Sequence, residues 1–480
     1  MNLTPETKDL LSIFPALLLG GGGAIFLVLQ FLFPANDQRI LRFSSGLLLL
    51  ISLFYTFDLK KDPGLGIFFS GQVVISDLTI YLNVIYIITA LLTVIASPRI
   101  LNQHGIDFPE FYPLILFAVT GMFFMTTSGD FILTFVGLEL LSISLYVLIG
   151  MAKNEMSSLE AALKYFLLGA FSSGFMLMGI AFLYGASGST NIQTAMRFVQ
   201  GVNFDTDPMI YARIGLGLFL VGVCFKIALA PFHSWTPDVY EGALTTMTGF
   251  MASGPKTAAM GLLLVVFGYF TKIDTNSSWT YLLGGIAILS MTLGNVFALK
   301  QENLKRVLAY SSISHAGYVV AGIIVGAKME VVYYLILYSF MNIAAFSIIA
   351  YLENGKQIVT YDSLRFLVSR KPLSSFGLLV IFFSLGGIPP LGGFWSKLFL
   401  FQAIASSDNF MNRLLLIAGV INSAVAIYYY LRLTVSAFMT EDKGDILSEN
   451  IPISYGLTFA SAVSILFVLF SWIVFHPSAL

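Results

Sequence analysis

Four ionisable side chains lie deep inside stretches of the sequence that are otherwise apolar. Glu139 lies in "LTFVGLELLSISLYVL", Lys226 in "GVCFKIALA", Lys256 in "FMASGPKTAAMG", and Lys397 follows "GGIPPLGGFWS". Such a charge is stabilised by an opposite charge, by bound water, or by loss of the charge. A lysine amine poised between its charged and neutral forms can exchange a proton, so these residues are candidates for proton transfer.

A structural role is the alternative for each lysine. An ion pair with Glu139 would account for one of them. Three lysines in three separate apolar stretches exceed one acid, however, so pairing alone leaves an excess of base. Because a charge at the centre of a membrane helix costs about 2.5–3.5 kcal/mol, a functional reason for keeping all four is favoured.

His315 is a fifth candidate, in the stretch "AYSSISHAGYVV". Ser311, Ser312 and Ser314 are close by in sequence, and their hydroxyls could order water around an imidazole that relays protons near neutral pH. A hydrogen-bonded core histidine is the alternative.

Lys164 is a sixth candidate, near one end of its apolar stretch. Glu160 lies four residues earlier and offers an ion pair on one helix face, and Ser157 with Glu160 has the spacing of a capping box. A structural lysine whose amine reaches the membrane surface is therefore as well supported as a functional one.

Prolines interrupt two of the apolar stretches next to these lysines. Pro231 lies in "FKIALAPFHSWTPDVYEGA", and Pro389 with Pro390 in "SLGGIPPLGGFWSK". A proline inside a helix costs about 3 kcal/mol and leaves carbonyls without donors, which a membrane protein tolerates only where protein or water covers them. The sequence predicts two broken helices, with Lys226 and Lys397 beside the breaks.

The composition indicates the elements that position these residues. Of 480 residues, 57% are hydrophobic and only 11% are charged, against about 25% charged in soluble domains. Apolar runs of roughly 20 residues recur along the chain, each long enough to cross a bilayer as a helix. The predicted fold is an all-α polytopic membrane protein of about fourteen transmembrane helices, near 10–33, 39–57, 76–97, 109–128, 130–150, 158–184, 209–241, 243–271, 279–299, 304–326, 330–352, 373–405, 411–438 and 453–475.

The positions of the two broken helices predict an internal repeat. Each is the fourth helix of a group of five, and because five is odd, the second group must be inverted relative to the first. The predicted units are three N-terminal helices (1–108), a first five-helix repeat (109–272), a second, inverted repeat (273–440) and a final helix (441–480). Between the second and third helices, alternating residues from Gly64 to Ser76 predict a small surface hairpin.

Charge sets the expected orientation. With both termini outside, thirteen lysines and arginines fall on the inner side and eight on the outer side, which favours that arrangement. The net charge of −1 gives no basic surface for nucleic acid. The start "MNLTPETKD" lacks the basic region of a cleaved signal peptide, so the first helix is expected to be retained.

Cysteine and histidine usage argues against a redox centre in this chain. The single cysteine excludes a thiolate-ligated cluster or an internal disulfide within it, and the four histidines show no metal-ligand spacing. We expect no cofactor here, so any redox chemistry belongs to another subunit.

Three motifs are similar to a known family. "FKIALAPFHSWTPDVYEGA", "LKRVLAYSSISHAGYVV" and "SLGGIPPLGGFWSKLFLF" resemble the antiporter-like membrane subunits of the proton-pumping NADH:quinone oxidoreductase, respiratory complex I. The resemblance runs from about the fourth to the thirteenth predicted helix. The segment "YYLILYSFMNIAAFSIIAYLE", and a chain that ends just after helix fourteen, resemble the branch called subunit N.

The resemblance implies roles for the candidate residues. The six that match the family's proposed proton path are Glu139, Lys164, Lys226, Lys256, His315 and Lys397. It further implies a multi-pass protein of the bacterial cytoplasmic membrane that assembles with the antiporter-like subunit M and the small subunits K and J. FMN, iron-sulfur clusters and quinone would be handled by other subunits.

Two rival functions remain open. A subunit of a stand-alone cation/proton antiporter could use related architecture, although lysines repel cations and a sodium site needs clustered oxygen ligands. A non-conducting scaffold of the membrane arm is the other, and it predicts that Lys226→Ala and Lys397→Ala leave proton pumping intact.

Overall fold

The computed structural model describes residues 6–32, 38–106, 108–200, 207–269, 278–353, 358–406, 409–439 and 454–474. Within these ranges the chain consists of helices, one two-stranded hairpin and the loops and turns that connect these elements. The predicted all-α polytopic fold is therefore confirmed.

The N-terminal part contains two long helices, the hairpin and a third long helix. Its elements are α1 (Thr7–Ser12), α2 (Phe14–Leu32), α3 (Gln38–Asp58), β1 (Gly66–Phe68), β2 (Val73–Ile75), α4 (Asp77–Ala96) and α5 (Pro98–Gln103), with a 3₁₀ turn at Phe69–Gly71. The two strands pair antiparallel, with Ile67 opposite Val74, which confirms the hairpin predicted between Gly64 and Ser76.

The middle and C-terminal parts consist of helices. The middle part contains α6 (Phe111–Thr127), α7 (Phe131–Ile149), α8 (Met156–Ser187), α9 (Ile192–Val199), α10 (Asp207–Ile227), α11 (Trp235–Gly242) and α12 (Thr245–Gly268). The C-terminal part contains α13 (Ser278–Ala298), α14 (Leu304–Ile324), α15 (Lys328–Leu352), α16 (Leu367–Arg370), α17 (Pro372–Gly386), α18 (Gly392–Ala405), α19 (Phe410–Met439) and α20 (Tyr455–Val474), with a 3₁₀ turn at Asp362–Leu364.

Each of the fourteen predicted spans corresponds to a helix or to a helix pair. Eleven helices among the described residues are long and apolar enough to cross a membrane, and three shorter apolar helices, 111–127, 372–386 and 455–471, accompany them. The count of fourteen crossings stays a prediction. The predicted repeat boundaries at residues 272 and 440 lie outside the described residues.

The helix connections meet on two opposite faces. On one, which we call the His104 face, His104 Nδ1 lies 2.5 Å from Glu155 Oε1, and Asn303 Nδ2 donates to Glu241 Oε1 at 2.9 Å. The other, the hairpin face, is held by backbone bonds such as Gly129 N to Gln72 O at 2.8 Å. Helices that alternate between these faces bring distant sequence segments together at each end.

The interior is formed by α12, α14 and α15, which are almost wholly buried, whereas α2, α3 and α19 have long exposed apolar faces suited to lipid. Glycines allow some helices to pack very closely. A Cβ at Gly179 of α8 would lie 2.5 Å from the carbonyl oxygen of Gly215 in α10, and one at Gly215 would lie 2.8 Å from that of Gly179. Only glycine permits this approach of two backbones.

Candidate functional site

The candidate residues lie on six helices. Glu139 is on α7, Lys164 on α8, Lys226 on α10, Lys256 on α12, His315 on α14 and Lys397 on α18. The three deep lysines and the histidine are each less than 10% exposed, so every one needs polar partners within the protein or from water.

The first predicted break separates α10 from α11. Residues 228–234 are not helical, and Pro231 lies within them. Ala228 adopts a left-handed backbone with φ of 65°. The backbone groups that this interruption frees find partners: Trp235 Nε1 donates to the carbonyl of Phe225 at 3.1 Å, and Ala230 N donates to Ser290 Oγ of α13 at 2.9 Å.

Lys226 lies in the last turn of α10 and is surrounded by aromatic rings. Its Nζ lies 5.0 Å from the ring centroid of Tyr165 and 5.3 Å from that of Tyr146. Among the described residues Nζ has no hydrogen-bond partner. Cation–π attraction therefore replaces a hydrogen bond, and the N–H groups remain available to water.

Lys226 and Glu139 do not form a direct ion pair. The described residues contain no salt bridge between them, and Glu139 Oε1 is buried without a hydrogen-bond partner in that part of the chain. The two charges still interact electrostatically, and Tyr146 interacts with both. Tyr146 therefore lies near enough to both charged groups to interact with each of them.

Lys256 is held by α14. Its Nζ donates to Ser312 Oγ at 2.7 Å and to the carbonyl of Ser312 at 2.9 Å. A small internal cavity is lined by both Lys226 and Lys256, together with Tyr165, Trp235 and Tyr240. Its volume of about 10 Å³ is close to the minimum for a single water molecule, with amines of both lysines at the wall.

His315 is enclosed by tyrosines. Its Nδ1 lies 2.6 Å from the hydroxyl of Tyr334, and its ring centroid lies 5.9 Å from that of Tyr318 and 5.2 Å from that of Tyr338.

Two of the three serines near His315 hydrogen-bond other side chains, and the water-ordering role expected of them stays a prediction. Ser312 binds Lys256, and Ser311 hydrogen-bonds the hydroxyl of Tyr430. Ser314 Oγ has no partner among the described residues. Ser311 and Ser312 share a helix face with His315 but bind groups from other helices, α19 and α12.

The second predicted break separates α17 from α18, and residues 387–391 contain Pro389 and Pro390. Gly387 has φ of 83°, which ends α17 in the left-handed region. Lys397 Nζ donates to the carbonyls of Leu385 and Gly386, both at 3.0 Å, and to Ser423 Oγ at 3.1 Å. The carbonyls at the end of α17 have no backbone N–H partners within the helix, and the amine of Lys397 supplies the hydrogen bonds that they lack.

Lys164 has a different partner from the one that the sequence suggested. Its Nζ hydrogen-bonds Asp238 of α11 and not Glu160, and α8 begins after Glu155 with no side-chain cap, so the predicted capping box is also wrong. Arg306 of α14 donates to Asp238 at 2.9 Å and to Glu241 at 2.7 Å.

This ion cluster joins α8, α11 and α14. Burial acts to raise the pKa of Asp238, but the hydrogen bonds from Lys164 and Arg306 prevail and lower it below its usual value. The cluster therefore favours the charged carboxylate and stabilises α11, the second half of the first broken helix.

The tyrosines are the site residues that the sequence analysis missed. Tyr146, Tyr165, Tyr318, Tyr334 and Tyr338 lie against Lys226, His315 or Lys397. The composition counts tyrosine among the hydrophobic residues, which hides its hydroxyl group. The i, i+4 spacing of Tyr334 and Tyr338, and the position of Tyr318 three residues after His315, were the available signals.

Interrupted helices with buried amines beside each break define an antiporter-like membrane protein. The family described as "NADH:quinone oxidoreductase/Mrp antiporter, TM" matches residues 128–425. A NADH-quinone oxidoreductase subunit N from Leptospira interrogans is 53% identical over 99% of this chain and 93% of its own length. The subunit N of Leptospira biflexa is 49% identical over 100% of both.

Solved structures share the fold. A chain of respiratory complex I from Thermus thermophilus superposes with a TM-score of 0.79 at 31% identity, covering 96% of this chain and 98% of that one. A chain of the Mrp complex from a Dietzia species has a TM-score of 0.80 at 17% identity, covering 99% and 96%, and so shows the fold alone.

The chain belongs to the NADH:quinone oxidoreductase/Mrp antiporter transmembrane family, within its subunit N branch. The resemblance seen in the three sequence motifs is thereby confirmed.

Proposed function

We propose that this chain is a proton-translocating membrane-arm subunit of an NADH:quinone oxidoreductase, driven by quinone reduction in other subunits. One observation carries the proposal: the buried amines of Lys226 and Lys397 lie beside the two broken helices, and His315, buried between other titratable groups, interacts electrostatically with both Lys256 and Lys397. A series of titratable groups across a membrane protein is the arrangement that proton conduction requires.

The first step is electrostatic. A change in the charge or position of Glu139 alters the field at Lys226, with Tyr146 beside both groups. The ammonium of Lys226 then releases a proton to water in the shared cavity, and that water passes it to the amine of Lys256. No direct ion pair between Glu139 and Lys226 is needed for this step, because the field acts through space.

The second half runs from Lys256 to Lys397. Ser312 accepts from Lys256 three residues before His315 on α14, and Tyr334 binds the imidazole. The ring of Tyr318 lies near both His315 and Lys397, with its centroid 5.3 Å from Lys397 Nζ. A proton that reaches Lys397 leaves on the outer side, against about 2.3 kcal/mol for each 100 mV of membrane potential.

The repeat organisation belongs to the same proposal. The short helices α9 and α16 are left out of this count. Counted from α6, the pair α10 and α11 is then the fourth helix of five, and counted from α13 the pair α17 and α18 is again the fourth. This order supports two inverted repeats, 109–272 and 273–440, that each contribute one broken helix. Each repeat then supplies one half of the path.

We place the chain in the bacterial cytoplasmic membrane with the His104 face toward the cytoplasm and both termini outside. The excess of lysines and arginines predicted for that side supports the orientation. The proposed neighbours are subunits M, K and J, while FMN, iron-sulfur clusters and quinone lie in or against other subunits.

The test is Lys226→Ala in the assembled complex, reconstituted into vesicles, with quinone reduction and proton uptake measured separately. Proton uptake should fall by at least about tenfold, equivalent to ~1.4 kcal/mol on the limiting barrier. The matched control is Lys300→Ala, which removes an exposed lysine from the His104 face and should change neither rate. Normal assembly with normal uptake in Lys226→Ala would contradict the proposal and favour the scaffold role.

A further inference from the structure

A second polar cavity, of about 440 Å³, opens on the His104 face. Residues from five parts of the chain line it, and those with polar side chains include His104, Glu155, Glu241, Asn303, Lys305 and Glu353. None of the six residues assigned to the proton path lies in its wall. Such a concentration of titratable groups in one opening calls for a functional explanation.

The floor of this cavity holds two buried ionisable groups. Lys305 is 9% exposed and Glu353 is 8% exposed. Lys305 Nζ donates to the carbonyl of Ala243 at 2.7 Å, and Glu353 Oε1 accepts from Thr245 Oγ1 at 2.7 Å. Each of them is thus hydrogen-bonded to a neutral partner, and their opposite charges interact through space.

The rim carries further acids and a histidine. His104 Nδ1 lies 2.5 Å from Glu155 Oε1, and Glu241 accepts from Asn303 and from Arg306. Carboxylates around an opening raise the local concentration of cations, hydronium included, at its mouth.

Two helices connect the floor to the proton path. Lys305 lies seven residues before Ser312 on α14, a rise of about 10 Å, and Ser312 binds Lys256. Thr245, which binds Glu353, begins α12, the helix that carries Lys256. The cavity floor therefore lies about two helical turns from Ser312 along α14 and about three turns from Lys256 along α12.

We infer that this cavity is the uptake vestibule through which protons from the His104 face reach Lys256, with Glu353 as the acceptor at its floor. The inference rests on the proposed function. A hydronium ion in the cavity gives its proton to the carboxylate of Glu353 and becomes water. The carboxyl then releases the proton toward Lys256 through water, which restores the carboxylate, while Lys305 limits how strongly Glu353 retains it.

The pKa of Glu353 fits this role. Burial raises it, and the nearby charge of Lys305, the hydrogen bond from Thr245 and His104 oppose that effect, while Glu155 adds to it. Glu241 and Lys305 are the charged groups that face the cavity from α11 and α14. A carboxyl with a raised pKa binds protons at a pH at which exposed acids are already ionised.

The experiment compares Glu353→Gln with Glu302→Gln in the reconstituted complex. Glu302 is exposed on the same face and does not line the cavity. We expect Glu353→Gln to lower proton uptake per NADH oxidised at least fivefold, with a deficit that grows as the pH on the His104 side rises. Glu353→Asp should restore most of the uptake, and Glu302→Gln should match the parent. Equal uptake in Glu353→Gln and Glu302→Gln would overturn the vestibule.

Lys226→Ala, measured in the same assay, separates the two proposals. Reduced uptake in Lys226→Ala beside normal uptake in Glu353→Gln would overturn the vestibule and keep proton translocation. Normal uptake in both variants would overturn the proposed function itself.

If the Glu353→Gln variant does not assemble, a labelling experiment tests the vestibule independently. Ile358 lines the same cavity and is 55% exposed, and Cys224, the single native cysteine, is buried. In the assembled complex, Ile358→Cys should react with a membrane-impermeant maleimide added to the His104 side. Protection of this cysteine in the intact complex would show that another subunit closes the opening, and the inference would fail.

Discussion

The three deep lysines are held in three different ways. Lys397 donates to two carbonyls and a hydroxyl, Lys256 donates to one carbonyl and one hydroxyl, and Lys226 lies against aromatic rings alone. Since an ammonium has three N–H groups, Lys226 keeps all of them for water. We therefore expect Lys226 to respond most readily to a change in its surroundings.

Tyr146→Phe tests this at a single atom. The hydroxyl of Tyr146 is buried without a hydrogen-bond partner among the described residues, and it interacts with Glu139, while its ring covers Lys226. Phenylalanine keeps the ring and removes the hydroxyl. Proton uptake in reconstituted vesicles should fall by about tenfold, equivalent to ~1.4 kcal/mol.

Tyr184→Phe is the control for that change. Tyr184 lies on α8 and is 54% exposed, so loss of its hydroxyl should leave uptake unchanged. A similar rate in both variants would mean that the hydroxyl of Tyr146 takes no part in transfer.

The sequence predicted the ionisable residues of the site but not their partners. A charge inside an apolar run is visible in the sequence, because burial of that charge is costly wherever the helix packs. Ser423, which binds Lys397, and Asp238, which binds Lys164, come from other helices, and no local pattern indicates that they meet. Local spacing alone predicts Glu160 as the partner of Lys164, and that prediction is wrong.

At the scale of elements, the two breaks are stabilised by similar means. In each, a side chain from one half of the broken helix, Trp235 or Ser384, hydrogen-bonds the backbone of the other half. The positions of the breaks were predictable because proline has no N–H group. The hydrogen bonds across each break were not predictable, because they depend on the path that the chain takes after the break.

Gly393→Ala probes the second break. A Cβ at Gly393 would lie 1.8 Å from the backbone oxygen of Ser384, so α18 would have to move away from α17. We expect a loss of about 3 kcal/mol or more in stability. The measurement is the fraction of folded complex that survives heating in detergent.

Gly285→Ala is the matched control on α13. No atom lies within 4 Å of a Cβ added at Gly285, and alanine is favoured over glycine within a helix. This variant should be as stable as the parent or slightly more so. An equal loss in both variants would show that the close contact at Gly393 is unimportant.

The ion cluster around Asp238 makes a prediction about pH. The pKa of Asp238 is lowered in the folded protein, so its stabilising effect is present above the unfolded value near 3.8 and is lost as the pH falls through the lower folded value. Asp238→Asn should therefore be less stable than the parent at pH 7, and the difference should shrink below about pH 4. Resistance to protease in detergent at both pH values measures it.

Asp362→Asn serves as the comparison for Asp238→Asn. Asp362 pairs with Arg365 within one turn and joins no two helices. Its replacement should change protease resistance little at pH 7. A difference between Asp238→Asn and the parent that stays constant with pH would contradict the role assigned to the carboxylate.

At the scale of the whole molecule, hydropathy predicted the helices and left their arrangement open. Each predicted span has a helical counterpart because about 20 apolar residues satisfy their backbone as a helix in any packing. The placement of α15 against α12, α18 and α20 depends on side-chain fit that a hydropathy profile does not contain. The cavity at the His104 face was missed for the same reason, since five separate segments form it.

The deep site also makes a prediction about ion specificity. Its buried amines repel cations, and Glu139 is the one carboxylate among the six residues assigned to the path. Replacement of sodium by choline at constant ionic strength should leave proton uptake by the reconstituted complex unchanged. Uptake that depends on sodium would favour the cation/proton antiporter instead.

The indole of Trp235 has a mechanical consequence. It links α11 to α10 across the first break, and Ser290 of α13 binds the loop between them. The interruption is therefore a rigid connection and not a hinge. We therefore expect the conduit through this subunit to keep its shape during turnover. Its switching elements are side-chain torsions and water molecules, which move on far shorter timescales than a tilting helix.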